Sequence, residues 1–388
     1  MVSLPRSESV NRLGGGPPAA SSSITSLDIN RDSSAPLYEQ IRQGIFQKIE
    51  TGEWPPDYML PPYKELLGLW GVSMITIQQS VGNLIKEGVL YRKRGVGVFV
   101  ANRRMGKKTR SIALFIPDVR HPFFSMLAHT IQTLAFRHGY ILSVFSLDAR
   151  SVESVQQLEA PLDNDFDGII TTPTIEKNLG QIFPRLNRRD IPIVFVDGMA
   201  PSDAYSYVEV DNHRAFELVI DHLISLGHRQ IGFISGQPMT IGVVERLKAF
   251  ESIMQERNLP LSPPRIQISH HLNDEGGAHA ADTLLALRDA PTAIICSNDL
   301  AAVGALRTLR RLGRSCPGDV SIVGFDALEL SDHLEPPLTT VRQPVVEMGR
   351  IALKLLLAQL ENAEPQPVER HELAPDLIVR GSTGPVPR

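Results

Sequence analysis

Cysteine is almost missing from this chain. Two occur in 388 residues, Cys296 and Cys316, at no metal-binding spacing. That excludes a disulfide framework and suits a reducing cytoplasm. Cys296 sits in an apolar run that reads as a buried strand. No run of 18 apolar residues exists, so no transmembrane helix and no membrane partner are expected. The N-terminus lacks the apolar core of a secretory signal. No GxSxG, phosphate-binding loop, HExxH or dinucleotide fingerprint is present. Gly14-Gly15-Gly16 lies in a Ser/Gly/Pro-rich tail and is not a phosphate loop. The eleven histidines are scattered, and His270-His271 has no metal-ligand partner at helical spacing. These absences argue against an enzyme, a cofactor and a metal site.

The chain is long enough for two or three domains, and 42% of it is hydrophobic, enough for full cores. Its net charge of −4 is unevenly spread. Residues 31–110 carry 13 basic against 7 acidic side chains, and residues 111–388 carry 24 against 34. A small basic domain followed by a large acidic one fits nucleic-acid contact confined to the N-terminal part.

Residues 1–30 read as a disordered tail. Residues 31–101 read as a DNA-binding domain. A helix opens at Pro36-Leu37-Tyr38, buries Leu37, Ile41, Ile45 and Ile49, and closes at Gly52. Prolines at 55, 56, 61 and 62 bracket an extended loop. Tyr63 to Leu69 is a short second helix, and Trp70-Gly71-Val72 turns into a third. Ser73 is its predicted N-cap, Ile77, Val81, Leu84 and Ile85 its buried stripe, and Gly88 its end. Met74, Thr76, Gln78 and Gln79 fall on the other face. Gln pairs bidentately with adenine and Thr touches a thymine methyl, so these types suit base edges. Val89 to Val100 reads as a small hairpin with Arg92, Lys93 and Arg94 beside Gly95 and Gly97. Cations neutralise phosphate, and glycines admit it closely. Helix, turn, helix and wing in that order is a winged helix-turn-helix.

The segments PLYEQIRQGI, LPPYKEL, GVSMITI, NLIKEG and GVGVFV, over about residues 34–101, resemble the DNA-binding domain of the GntR family of bacterial regulators. The resemblance implies a phosphate contact for Lys64, a recognition-helix role for Thr76 and wing roles for Gly95 and Gly97. This chain departs from the family pattern at Met74 and Gln78, where arginine is usual, and at Pro62-Tyr63, where Ser-Glu is usual. Gln78 in place of arginine favours adenine over guanine. Residues 102–110 form a basic linker.

From Ser111 onward, short apolar strands alternate with helices. They include 112–116, 140–145, 168–170, 191–196, 231–234, 265–268, 293–296 and 320–325. Such alternation implies parallel sheets covered on both faces, and this length of it implies two α/β lobes around a cleft. The expected fold class is therefore α/β, with an N-terminal winged helix-turn-helix before a two-lobed domain of parallel sheets over residues 111–388. HPFFSML, FDGII, IPIVFVD, VDN, HLISLGHRQIGFISG, ERLKAF, PTAIICSND, DVSIVGFD, PPLTTVRQP and LIVRGST occur in that order. Together they resemble the lactose/galactose repressor family, whose ligand core is periplasmic-binding-protein-like. A GntR-like head on such a core resembles the AraR-type arabinose repressors.

That resemblance implies a set of cleft residues. Phe123 and Phe124 follow the first strand, with helix packing as their alternative. Thr172, Asp197, Asn298 and Asp326 end strands. Asp211 lies at the first crossing between lobes and Gln343 at the second. Thr240, Arg246 and His271 complete the set. Arg246 is a bidentate donor to ligand oxygens, with a surface ion pair to Glu245 or Glu251 as its alternative. One of Asn298 and Asp299 is expected to cap the following helix instead. Carboxylates, amides and an arginine beside an aromatic suit a carbohydrate better than a purine. The expectation is a cytoplasmic, homodimeric transcription regulator that binds operator DNA and a small sugar, a repressor released by its ligand. The alternative is a sensing protein whose head no longer binds specific DNA.

Overall fold

The computed structural model describes residues 27, 29–31, 33, 35–93, 95–101, 109–147, 166–173, 191–362 and 366–387. The tail expectation, most of the linker and Arg94 lie outside these residues. The chain divides into two compact units, Met1–Lys107 and Lys108–Arg388.

In the first unit, helices α1 (Leu37–Glu50), α2 (Tyr63–Trp70) and α3 (Met74–Lys86) precede a hairpin of β1 (Leu90–Lys93) and β2 (Gly97–Val100). Ile41, Ile45, Trp54, Leu66, Ile77, Val81 and Leu84 are fully buried and form one core. Leu37, expected in that stripe, lies at its exposed end. Gly71 takes the left-handed backbone that ends α2 (φ 61°), so the chain turns into α3 within three residues. Ser73 accepts from the Thr76 N–H and caps α3. The proline-bracketed loop pairs with the wing. Leu60 N–H donates to Val98 O at 2.8 Å, and Val100 N–H donates to Tyr58 O at 2.9 Å.

The second unit runs β3 (Ser111–Ile116), α4 (Pro122–Arg137), β4 (Ile141–Ser146), β5 (Gly168–Thr171), β6 (Ile193–Val196) and β7 (Ser206–Val210). It continues with α5 (Asn212–Ser225), β8 (Ile231–Gly236), α6 (Ile241–Glu256), β9 (Ile266–Ser269), α7 (Asp274–Leu285) and β10 (Ala293–Cys296). It ends with α8 (Asp299–Arg311), β11 (Ser321–Asp326), β12 (Thr339–Arg342), α9 (Val345–Glu361), β13 (Arg370–Leu373) and β14 (Asp376–Ile378). The first sheet has the order β13-β7-β6-β5-β3-β4 and is parallel throughout. The second has the order β14-β12-β11-β10-β8-β9, and only β14 is antiparallel to its neighbour. Central strands β5, β6 and β10 are buried along their whole length, as strands covered on both faces must be. Helices α4 and α9 cover the first sheet, and α5 and α6 cover one face of the second. Helices α7 and α8 cover its other face. They touch backbone to backbone, since a Cβ on Gly304 would lie 2.0 Å from the Asp274 carbonyl oxygen. The chain crosses between lobes three times, at Asp211, at Gln343-Pro344 and at Ala374-Pro375.

Candidate effector cleft and nucleic-acid interface

Parallel strands put the chain's next residue at the carboxyl edge of a sheet. Here those edges meet. Asp197 follows β6, Ser297 and Asn298 follow β10, Asp326 ends β11, and Gln343 follows β12. Among the described residues the lobes meet at this edge in several contacts, with His121 Nε2 lying 3.9 Å from Asp326 Oδ2. Ile241 N–H donates to Pro173 O at 3.2 Å. The Asn298 amide donates to His121 Nε2 at 2.9 Å. Arg246 Nη2 lies 3.9 Å from Asp197 Oδ1.

Arg246 is the centre of this arrangement. It is buried, and its guanidinium stacks 4.1 Å above the Phe325 ring. Nη1 donates to Ser297 O at 3.0 Å, and Nε donates to Asn212 Oδ1 at 3.3 Å. It faces two carboxylates, so the surface pairing with Glu245 or Glu251 is not its role. Asp197 and Asp326 adopt positive φ, 65° and 111°, a conformation L-residues rarely take. Burial pushes the Asp197 carboxyl up to about 7, with Asp326 adding to the rise and Arg246 opposing it. Asp326 is pushed up to about 6 by burial, against the pull of Arg246 and of the Gln343 amide that donates to it at 2.6 Å. Burial and Arg246 hold His121 down to about 4, so it is neutral at pH 7. Its Nε2 accepts from Asn298, which places its proton on Nδ1.

Five buried polar atoms in this region have no protein partner: His121 Nδ1, Thr172 Oγ1, Ser235 Oγ, Ser297 Oγ and Gln343 Oε1. Buried polar atoms normally find partners. Such a cluster at strand ends offers hydrogen-bond partners to a polar ligand or to water.

The expected site residues separate on inspection. Thr172, Asp197, Arg246, Asn298, Asp326 and Gln343 are buried at the carboxyl edges. Phe124 is half-buried and edge-on to the His121 ring at 5.7 Å. Phe123 is a correction. It is buried in the first lobe's core with Leu127 and Ile131, because a helix directs adjacent residues about 100° apart. Asp211 is another. Its carboxylate caps α5 by accepting from Arg214 N–H at 2.7 Å, and its neighbour Asn212 meets Arg246. His271 is exposed, whereas the carbonyl of Leu272 beside it accepts from Asn298 at 2.9 Å. Thr240 is buried and caps α6. Asn298 is the residue that caps α8, while Asp299 is consumed inside the second lobe by Leu328 N–H, Ser331 and Thr340. Sequence reasoning missed His121, Asn212, Ser235 and Ser297. Their neighbours in the same motifs drew attention instead.

In the head, Lys64, Arg92 and Lys93 are exposed cations. Arg92 is tied to the Tyr63 hydroxyl at 3.0 Å, and Lys93 lies over the Phe99 ring at 5.0 Å. Gly95 has φ 77° at the wing tip, where no Cβ would meet another group. Gly97 is closed in by the Met59 sulfur, 3.3 Å from where its Cβ would stand. Gln78, Gln79 and Met74 are exposed along α3. The Thr76 hydroxyl is turned back to Ser73 Oγ at 2.8 Å.

Residues 37–100 match the bacterial regulatory proteins of the gntR family, and residues 220–383 match the periplasmic binding protein-like domain. The chain is 33% identical to the HTH-type transcriptional regulator MalR of Streptomyces coelicolor, over 82% of this chain and 95% of that protein. It is 29% identical to the arabinose metabolism transcriptional repressor of Geobacillus stearothermophilus, over 91% of this chain and 99% of that one. A LacI family transcriptional regulator from Enterococcus faecium, solved with bound ribose, shares 27% identity with a TM-score of 0.62 over 71% of this chain and 99% of its own. The chain belongs to the helix-turn-helix transcriptional regulators that join a GntR-type head to a LacI-type effector domain. It is a ligand-responsive DNA-binding regulator of the repressor type. The gntR-family match falls in the first unit and the periplasmic binding protein-like match in the second. No helix among the described residues is long and apolar enough to cross a membrane.

Proposed function

We propose that the regulator is a cytoplasmic homodimer that represses transcription and leaves its operator when a small neutral sugar binds the cleft. On this reading residues 31–101 form the head, residues 111–388 form the effector and dimerisation domain, and the chain is not an enzyme. The observation that carries the sugar assignment is the set of five orphan polar atoms around Arg246, Asp197 and Asp326. A polyhydroxylated ligand presents donors and acceptors together, so it satisfies hydroxyls, an amide oxygen and an imidazole N–H at once. Carboxylates accept paired hydroxyl donors, and arginine donates to a ring or hydroxyl oxygen. Phe124 supplies one aromatic ring for a sugar's C–H face, and a flat purine would want a stacking partner on each side. The bound ribose of the Enterococcus faecium protein and the arabinose metabolism role in the name of the Geobacillus relative support the same class. For the dimer, α4 and the edge strand β4 expose Met126, Phe136, Ile141 and Val144, with Phe136 78% and Ile141 67% exposed. Apolar groups of that size on one sheet edge suit a second copy.

The test is a thermal-shift screen of the full chain against pentoses, hexoses, sugar phosphates, disaccharides and purines. A ligand that binds only the folded state raises the melting temperature by mass action. One sugar should shift it, and the same sugar should release a bound duplex. A shift with purines alone would overturn the sugar assignment. Failure to bind any duplex at low salt would overturn the regulator reading itself.

A further inference from the structure

The buried stripe of α3 is Ile77, Ser80, Val81 and Leu84. At 100° per residue the face opposite that stripe carries Ile75, Gln78, Gln79, Gly82 and Lys86. Two of these residues are out of place for a solvated helix face. Ile75 is 74% exposed, far more than Met74 at 38%. An isoleucine there gains nothing from its own fold. Gly82 is in the middle of the helix, where glycine is less stable than alanine. Among the described residues no packing explains it, because a Cβ at Gly82 would meet nothing within 4 Å. Exposed isoleucine and unforced glycine share one face with two glutamines and a lysine. Lys64, Arg92 and Lys93 supply further exposed positive charge in the same unit.

We infer that this face enters the major groove with Ile75 against the C5-methyl of a thymine, and that Gly82 marks where the nucleic acid comes nearest the helix backbone. The inference rests on the DNA-binding reading of the head and adds the base feature that it reads. In the major groove the thymine methyl is the one apolar group that distinguishes a base pair. Gln78 and Gln79, at i+3 and i+4 from Ile75, are then placed for adenine edges, so the readout is of A·T pairs. The hydroxyl of Thr76, the residue expected from sequence to touch the methyl, turns back to Ser73 Oγ, and Thr76 is half-buried where Ile75 stands out into solvent. A glycine without a side chain at i+7 removes the bulk that would hold the helix off the groove.

The experiment starts from duplexes enriched from a random pool by the full-length protein. Each thymine of the enriched half-site is then replaced singly by uracil, which removes only the methyl. At one position the wild type should lose about fourfold in affinity, the factor carried by one buried methyl group. Ile75→Ala should bind the uracil and thymine forms equally. Gly82→Leu should bind every duplex at least tenfold more weakly with an undiminished melting temperature. Equal thymine-to-uracil losses in wild type and Ile75→Ala, or no sensitive thymine, would overturn the assignment to Ile75 and leave DNA binding intact. Wild-type affinity in Gly82→Leu would overturn the close approach. If nothing is enriched, the DNA-binding reading fails and this inference with it.

Discussion

The side-chain amide of Asn298, at the start of a helix in the second lobe, donates to the imidazole of His121 in the first lobe across 2.9 Å. The same amide nitrogen donates to the Leu272 carbonyl, and the amide oxygen caps α8 through Ala301 N–H. One asparagine thus fixes a helix start, a loop and a contact between lobes. Asn298→Asp separates these roles. Aspartate caps as well as asparagine, but it has no donor for His121 or Leu272. Effector affinity should fall roughly fivefold to a hundredfold, the loss of two neutral hydrogen bonds worth about 0.5–1.5 kcal/mol each. The new carboxylate also raises the His121 pKa. Lowering the pH from 8 to 6 protonates that ring, restores a donor across the cleft and recovers part of the affinity. Calorimetric titration of the sugar at both pH values checks this, and a loss independent of pH would remove His121 from the closing contact.

Arg246 offers a cleaner division between the two ends of the molecule. Replacing it by lysine keeps the charge that faces Asp197 and Asp326 but loses the planar fork that reaches Ser297 and Asn212 together. Arg246→Lys should fold, bind operator DNA with wild-type affinity, and require at least tenfold more sugar to release it. Arg246→Ala should abolish the response and also lower stability by about 3–5 kcal/mol, because the carboxylates then face no buried cation. Titrating sugar into a preformed protein–DNA complex measures both. Unchanged sugar affinity in the lysine variant would take Arg246 out of the site.

The head and the cleft were unevenly legible in the sequence. The Ser73 cap and the glycine that turns α2 into α3 are local signals and identify α3 directly, whereas Asp197, Asn298 and Asp326 follow from the resemblance to the lactose/galactose repressor family. Strand β13 reads Arg-His-Glu-Leu and carries no apolar run, because it pairs on one side only at the edge of its sheet. The third crossing between lobes is hidden with it. Ile75 was hidden for the opposite reason. Hydrophobicity alone assigns isoleucine to the interior, and only the position of the buried stripe shows that this one faces out. Ser80 makes the same point in reverse, since its buried hydroxyl lies 2.8 Å from both the Tyr38 and Thr76 carbonyl oxygens and shares its one proton between them.

Lys64 is exposed at the start of α2. A lysine is a point charge for phosphate and reads no base. Lys64→Ala should weaken specific and non-specific duplexes by the same factor. It should also lower the slope of log affinity against log salt by about one. Fluorescence anisotropy over a salt series reports both. A change of sequence preference with an unchanged slope would contradict the phosphate assignment.

The last prediction concerns pH. Glu209 on β7 is buried, and burial together with Glu245 and Glu372 pushes its carboxyl up to about 8. A folded-state pKa above the unfolded value means that the folded protein keeps a proton that the unfolded chain releases near pH 4.5. The stability this provides is full below about pH 4.5 and is lost as pH rises towards 8. Asp197 and Asp299, at about 7, and Asp326, at about 6, act in the same direction but are spent near neutral pH. His121 opposes them only between about 4 and 6.5. The melting temperature of the sugar-free protein should therefore keep falling between pH 7 and 8. Glu209→Gln keeps the uncharged shape, so it should flatten that interval and melt higher than wild type at pH 8. Parallel pH curves for the two proteins from 7 to 8 would show that Glu209 is ionised in the folded state.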